Sequence, residues 1–289
     1  MTSKLYQWPS PFAIYPDRGN KSYRAKRFRF QLRSFLHKRS IKGFEHFANQ
    51  HPQLIELLNA RPNYSYPVAH RFLDKRFNAK QRLDLICDNL LFLPEVLTRL
   101  GLPPLWEKEI NFGEIIPDFE LCLCVTNYQP MEGYWTLELR YKQTNELIYL
   151  LTFGKIKQSL LIAVIQGPNI EGSKELVKLL TKKCHGLRPA YLMVEAMKAL
   201  TQALGYKQLL GIPQKYQNKS RFVQSSRYVV NYDTIFSECA GVLGEYWQLP
   251  LHFESKKLED IPSNKRSMYK KRYFMLEQLS KTMHEKFKK

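Results

Sequence analysis

Between Arg18 and Lys42 the chain places Phe28, Leu32, Phe35 and Leu36 at i, i+4, i+7 and i+8, a spacing that gathers them on one face of an α-helix. Ser22 stands where an N-cap would open it. Arg24, Lys26, Arg27, Arg29, Arg33, Lys38 and Arg39 occupy the remaining faces, and the stretch holds ten basic residues and no acidic one. The expected element is a basic amphipathic helix, which either docks its stripe on a core or lies in a membrane interface. Helical spacing continues over Phe44–Asn59 and Ala79–Leu100, punctuated by Gly43, by Pro52, Pro62 and Pro67, and by Gly101-Leu102-Pro103-Pro104. Residues 1–110 therefore read as a basic, mostly helical N-terminal region.

The period then changes. Phe119–Asn127, Tyr134–Lys142, Leu147–Lys155 and Ser159–Gln166 are short, rich in Leu, Ile, Val and Tyr, and partly alternating, which predicts an antiparallel meander. Gln143-Thr144-Asn145-Glu146 supplies a tight turn between two of them. After Gln166-Gly167-Pro168-Asn169, Glu171–Lys183 and Arg188–Leu204 read as helices. Pro189 sits in the first turn of the second, Gly205 follows its end, and Leu192, Ala196, Ala199, Leu200 and Ala203 form its apolar face. Lys207–Ile212 returns as a strand, and Asn264–Lys289 is a second basic helix. The fold class is α+β: the helical region, then a mostly antiparallel sheet packed by helices over residues 111–289.

Composition fits a folded chain, with 44% apolar and 13% aromatic residues in 289. No run approaches the roughly 18 apolar residues that cross a bilayer. The first twenty residues lack an apolar targeting segment, so a cytoplasmic protein is expected. Five scattered cysteines without a Cys-x-x-Cys pair predict free thiols, with Cys122 and Cys124 on one face of a strand. The net charge of +19, with a pI near 9.6, changes the picture most. It predicts attraction to an anionic partner: membrane lipid, a phosphorylated glycolipid, an acidic carrier protein or nucleic acid.

No phosphate-binding glycine loop, zinc-protease or nucleophile-elbow pattern is present, and the seven histidines show no metal-ligand spacing. No helix-turn-helix, RNP or zinc-finger pattern supports nucleic acid. The candidates for chemistry are His185, as a base or a structural cap, and the carboxylates of Asp233 and Glu238, of which Asp233 also suits an N-cap. Tyr and Arg alternate near the C-terminus around Lys270, Lys271 and Arg272, an arrangement for holding phosphates or for a solvated helix face.

The order meander, helix, strand resembles the core of the GCN5-related N-acetyltransferase fold. That resemblance implies that Gly186 and Arg188, at the start of the second helix, would meet the pyrophosphate of acyl-CoA, or serve a donor carried on an acyl carrier protein. The Gln/Arg-x-x-Gly-x-Gly/Ala loop of that fold is not in the sequence, and Pro189 removes one N–H donor.

An ordered series of motifs carries a second likeness. It comprises His70-Arg71-Phe72-Leu73, Gln81-Arg82-Leu83, Gln166-Gly167-Pro168, Lys183-Cys184-His185-Gly186-Leu187-Arg188-Pro189, Tyr232-Asp233, Leu249-Pro250, Lys265-Arg266-Ser267-Met268-Tyr269 and Arg272-Tyr273. Together they resemble the VirK/YbjX family of Gram-negative bacterial proteins. The resemblance implies roles in virulence, membrane association and the integrity or display of surface components, and it carries over no catalytic residue. Relatives tend to have a His in the polar stretch that is Gln214–Lys219 here, and this chain has none. The expectation is a cytoplasmic protein peripheral to the inner membrane, drawn to anionic lipid by the basic side chains of its two helical flanks.

Overall fold

A computed structural model describes residues 5–19, 22–168, 172–218, 231–253 and 255–288. Trp8 opens the N-terminal region by stacking on Phe30, rings 5.9 Å apart. The helices that follow are α1 (Pro11–Ile14), α2 (Arg24–Leu36), α3 (Lys38–Gln50) and α4 (Ile55–Ala60), with a 3-10 stretch over Pro62–Ala69. α5 (Ala79–Arg99) starts at a capping box in which Asn78 and Gln81 satisfy each other's backbone N–H.

Two local expectations shift. The basic stretch breaks at His37 into α2 and α3, so it is not one helix. Ser22 is not the N-cap of α2: Tyr23 holds that place, and its N–H donates to the Asp17 carboxylate instead, 3.2 Å away.

The sheet has one strand more in its meander than the sequence pattern indicates. β1 (Ile110–Ile116), β2 (Phe119–Val125), β3 (Trp135–Tyr141), β4 (Glu146–Ile156) and β5 (Ser159–Gln166) run antiparallel in sequence order. β1 escapes the pattern because Gly113, at φ +81°, and register shifts around Glu114 interrupt its alternation. α6 (Ser173–Lys183) and α7 (Pro189–Ala203) then cross to β6 (Leu209–Gly211), which pairs parallel to β5. The Glu171 expected in α6, and Asn169, Lys219 and Lys289 from the other expected segments, lie outside the described residues. α8 (Tyr232–Glu238), β7 (Val242–Leu243), β8 (Trp247–Leu249) and α9 (Ser263–Phe287) complete the order. Among the described residues the strands lie as β1-β2-β3-β4-β5-β6-β8-β7. The architecture is thus α+β, with the N-terminal helices leading into a mostly antiparallel sheet packed by helices.

β5 and β6 pair only over Leu160–Ile162. Beyond that point Tyr232 takes over: its hydroxyl donates to the Ile165 carbonyl at 2.9 Å and accepts from the Ile165 N–H at 3.3 Å. α5 plays the same part elsewhere. The Asn89 amide bonds both the N–H and the C=O of Lys155, at 2.6 and 2.8 Å, where β4 runs past the end of β3. Gly154 is required there, since a Cβ would stand 2.6 Å from Asn89 Oδ1.

α7 packs on β4, β5 and α9, and α9 reaches across to β1. These contacts carry the C-terminal helix from the α6–α7 loop to the edge of the sheet.

Candidate functional site

α2 is apolar on two sides. Its inner side buries Phe30, which is 1% exposed. Phe28, Leu32, Phe35 and Leu36 point nearly the opposite way, at 66, 50, 76 and 68% exposure. The stripe read from the sequence is therefore not docked on the core. Arg24, Lys26, Arg29, Lys38 and Arg39 are exposed around it and at the start of α3.

Arg27 and Arg33 have other duties. Arg27 is buried, donates to Asp17 at 2.9 Å and to the Tyr15 carbonyl at 3.0 Å, and lies 4.2 Å from the Phe12 ring centre. Its hydrogen bond holds the Asp17 carboxyl below the ordinary carboxylate range. Arg33 donates to the Tyr66 hydroxyl.

Beneath α2 the positive charge continues inward. The Tyr66 ring meets the His70 ring edge-on at 5.3 Å. Arg82, 5% exposed, donates twice to the Val68 carbonyl, at 3.2 and 3.0 Å. Among the described residues Arg33, His37, His70 and Arg82 make no ion pair with a carboxylate. Burial first, then the neighbouring arginines, press the His70 pKa from 6.5 down to about 3. His37 is lowered by the same causes. The His70 and Arg82 motifs thus meet at Arg33 and His37, with the positive charge on the two arginines and the imidazoles pressed toward their neutral form.

A second cationic locus joins two segments that are far apart in sequence. Arg272 of α9 donates twice to the His185 carbonyl, Nε at 3.0 Å and Nη2 at 2.8 Å. His185, at φ +52°, and Gly186, at φ +79°, make the turn between α6 and α7. The close approach that Gly186 permits is that of Arg272, whose Nη2 would lie 2.8 Å from a Cβ at this position. The His185 imidazole is lowered by burial and by Lys271 and Arg272. Lys270, Lys271 and Arg188 are exposed.

The carboxylate candidates lie elsewhere. Asp233 accepts from the Gln214 N–H at 3.0 Å and from Trp247 Nε1 at 2.8 Å, which fastens α8 to its neighbours. Glu238 accepts from the Tyr191 hydroxyl, whose pKa is pushed up to about 12 by burial and then by this carboxylate. No hydrogen bond among the described residues joins His185, Asp233 and Glu238 to one another.

The sheet also carries a polar ladder that alternation alone could not single out. Arg140 donates to Glu109 at 2.9 Å and to Glu138 at 2.8 Å, Thr136 donates to Glu138 at 3.2 Å, and Cys124 meets Thr136 at 3.4 Å. Glu138 is 3% exposed. All five cysteines are free, and burial pushes their thiols up to about 11 or 12, so none presents a thiolate at neutral pH. No helix among the described residues is long and apolar enough to cross a membrane.

A family model described as a protein of unknown function, DUF535, matches residues 19–285. A Haemophilus influenzae protein, described as uncharacterized, is 63% identical over 287 residues, which covers 99% of this chain and 98% of that one. A Mannheimia haemolytica protein bearing the name Membrane protein LapB is 71% identical over 216 residues, 75% of this chain and 95% of its own. The Escherichia coli protein YbjX is 25% identical over 283 residues, covering 92% and 84%. No solved structure matches the chain.

Proposed function

This chain belongs to the DUF535 family, with YbjX among its relatives, and from that footing we propose that it works at the surface of an anionic membrane, attached peripherally through α2. The observation that carries the reading is the exposed stripe Phe28, Leu32, Phe35 and Leu36 on a helix ringed by exposed cations that make no ion pair among the described residues. Four large apolar side chains held in water on one helix face are costly unless something covers them, and the surrounding charge selects an anionic cover. Each cation beside an anionic leaflet contributes roughly 1 kcal/mol. Arg24, Lys26, Arg29, Lys38 and Arg39 together supply about 5 kcal/mol, comparable to one acyl anchor of marginal affinity. The name of the Mannheimia haemolytica relative, Membrane protein LapB, supports the same reading. The membrane in question is the inner one, approached from the cytoplasm, and the role is support of envelope integrity or of virulence-related surface functions.

An acyl-transfer reading has less beneath it. Pairing between β5 and β6 stops after Ile162, where an acyl-donor slot would lie, but the Tyr232 hydroxyl occupies the backbone sites left there. The candidate acid and base groups stand apart.

Flotation with vesicles containing phosphatidylglycerol, beside vesicles of phosphatidylcholine alone, tests the membrane reading. The protein should float with the anionic vesicles at low salt and release as salt rises, because the screening length is about 8 Å at physiological ionic strength. Phe28→Ser with Phe35→Ser should abolish flotation without unfolding the chain, both side chains being exposed. Equal binding to neutral vesicles, or a double variant that floats like the parent, overturns it. A stripe that instead pairs two copies of the chain would appear as a dimer lost in the same variant.

A further inference from the structure

α9 is pinned to the rest of the molecule near both ends and, between them, packs on α7 and buries Leu276, Leu279 and Met283. Near its start, Arg272 grips the His185 carbonyl and Met268 lies over Gly186. At its end, Phe287 packs on Phe112 of β1, rings 6.0 Å apart. Between the pins is a groove of about 490 Å³, within the range of roughly 300–1,000 Å³ common for small-molecule sites. One wall is Ile115, Ile116 and Pro117, and the other is Phe274, Met275 and Leu279. Lys183 fixes the first wall by donating to the Pro117 carbonyl at 3.1 Å and to Asp118 at 2.5 Å. The groove is therefore formed before any ligand arrives, which lowers the cost of binding.

Its charge is one-sided. Glu114, the acidic residue in the lining, is paired with Lys142 at 2.9 Å. Lys183 is paired with Asp118. Lys270 and Lys271 also line the groove and have no ion-pair partner among the described residues. Phe274 remains 63% exposed on the open side. A long apolar trough with two free ammonium groups at one end matches an amphiphile with one hydrocarbon chain and one anionic head. A neutral chain would leave the lysines unanswered, and a small anion would leave the trough wet.

We propose that the groove between β1 and α9 binds a single-chain anionic lipid, the chain lying between Ile115–Pro117 and Phe274–Leu279 and the head meeting Lys270 and Lys271. The site is separate from the stripe on α2 and does not rest on it. Oleate and lysophosphatidylglycerol share the required chemistry and differ in whether the anion is a carboxylate or a phosphate.

The test is displacement of a fluorescent fatty acid from the full chain, below the micelle concentration, by oleate, lysophosphatidylglycerol and neutral monooleoylglycerol. One saturable site is expected, with one or both anionic lipids competing and the neutral one failing. Whichever anion competes better identifies the head. Lys270→Glu with Lys271→Glu should weaken binding roughly tenfold or more. Phe274→Asp should abolish it, and circular dichroism should be unchanged, as all three side chains are exposed. Lack of saturable binding, equal competition by monooleoylglycerol, or a lysine double variant that binds like the parent overturns the proposal. Phe28→Ser with Phe35→Ser should still bind the fluorescent fatty acid, so failure at this groove and failure at α2 are read separately.

Discussion

Arg272 and His185 are 87 positions apart, yet two hydrogen bonds from one guanidinium close on one backbone carbonyl, at 3.0 and 2.8 Å. The pairing exists because Gly186 has no Cβ to obstruct it and can hold φ +79°. It is what ties α9 to the α6–α7 turn, and so what sets one end of the groove.

Arg272→Ala should therefore destabilise the fold by about 1–3 kcal/mol, the cost of leaving a partly buried acceptor unmet by a charged donor. Gly186→Ala should cost a similar amount, from positive φ and from collision with Arg272. Combined, the two should cost less than their sum, since each removes the same contact. Urea unfolding of the four proteins gives the answer, and strict additivity would contradict the shared contact.

Asn89 stands in for a missing strand residue. Asn89→Leu keeps the branched shape of the side chain but removes bonds to Leu85 and Lys155, leaving buried backbone groups unpaired. A loss of about 2–4 kcal/mol is expected. Hydrogen exchange at the Lys155 amide should accelerate in the variant far more than at amides in the middle of β3.

The Arg140 ladder gives a contrast of single against double substitution. Arg140→Met abandons Glu138, 3% exposed, as an uncompensated charge, with an expected loss of about 3–5 kcal/mol. Burial alone would lower the Arg140 pKa, and the carboxylates of Glu109 and Glu138 reverse that and raise it. Arg140→Met with Glu138→Leu should recover most of the loss, because neither charge then needs solvation. Thermal unfolding would expose a wrong account by ranking the double variant below the single one.

His70 should make the protein acid-sensitive. Its pKa is about 3 in the folded chain against 6.5 for a free imidazole. Between those values the unfolded chain holds the extra proton, so stability falls as pH falls from about 6.5 toward 3. Above pH 6.5 the effect is absent. His70→Gln should flatten this dependence in unfolding measured across pH 4–8, and an unchanged slope would assign the sensitivity to other groups.

Much of the secondary structure was legible because it is local. Gly101 follows the end of α5, Pro189 and Gly205 bracket α7, and Gln143–Glu146 turns β3 into β4. β1 stayed hidden because Gly113 and Glu114 break its alternation, and β7 and β8 are too short to carry a period. The candidate surfaces were legible in part. Basic residues and the α2 stripe are visible as a count and a spacing, but spacing does not say that the stripe faces water, since α2 also offers Phe30 to the core.

The sequence by itself determined the helical and strand periods and the turn residues, since each depends on neighbours within a few positions, and the charge and the family likeness, which need only the count and order of residues. Only the tertiary structure decided which cations are free and which, like Arg27 and Arg272, are tied to internal partners. It alone brought His185 to α9 and His70 to Arg33. Those outcomes depend on contacts between segments tens of residues apart, where chain connectivity fixes nothing and packing chooses among many arrangements of the same local pieces.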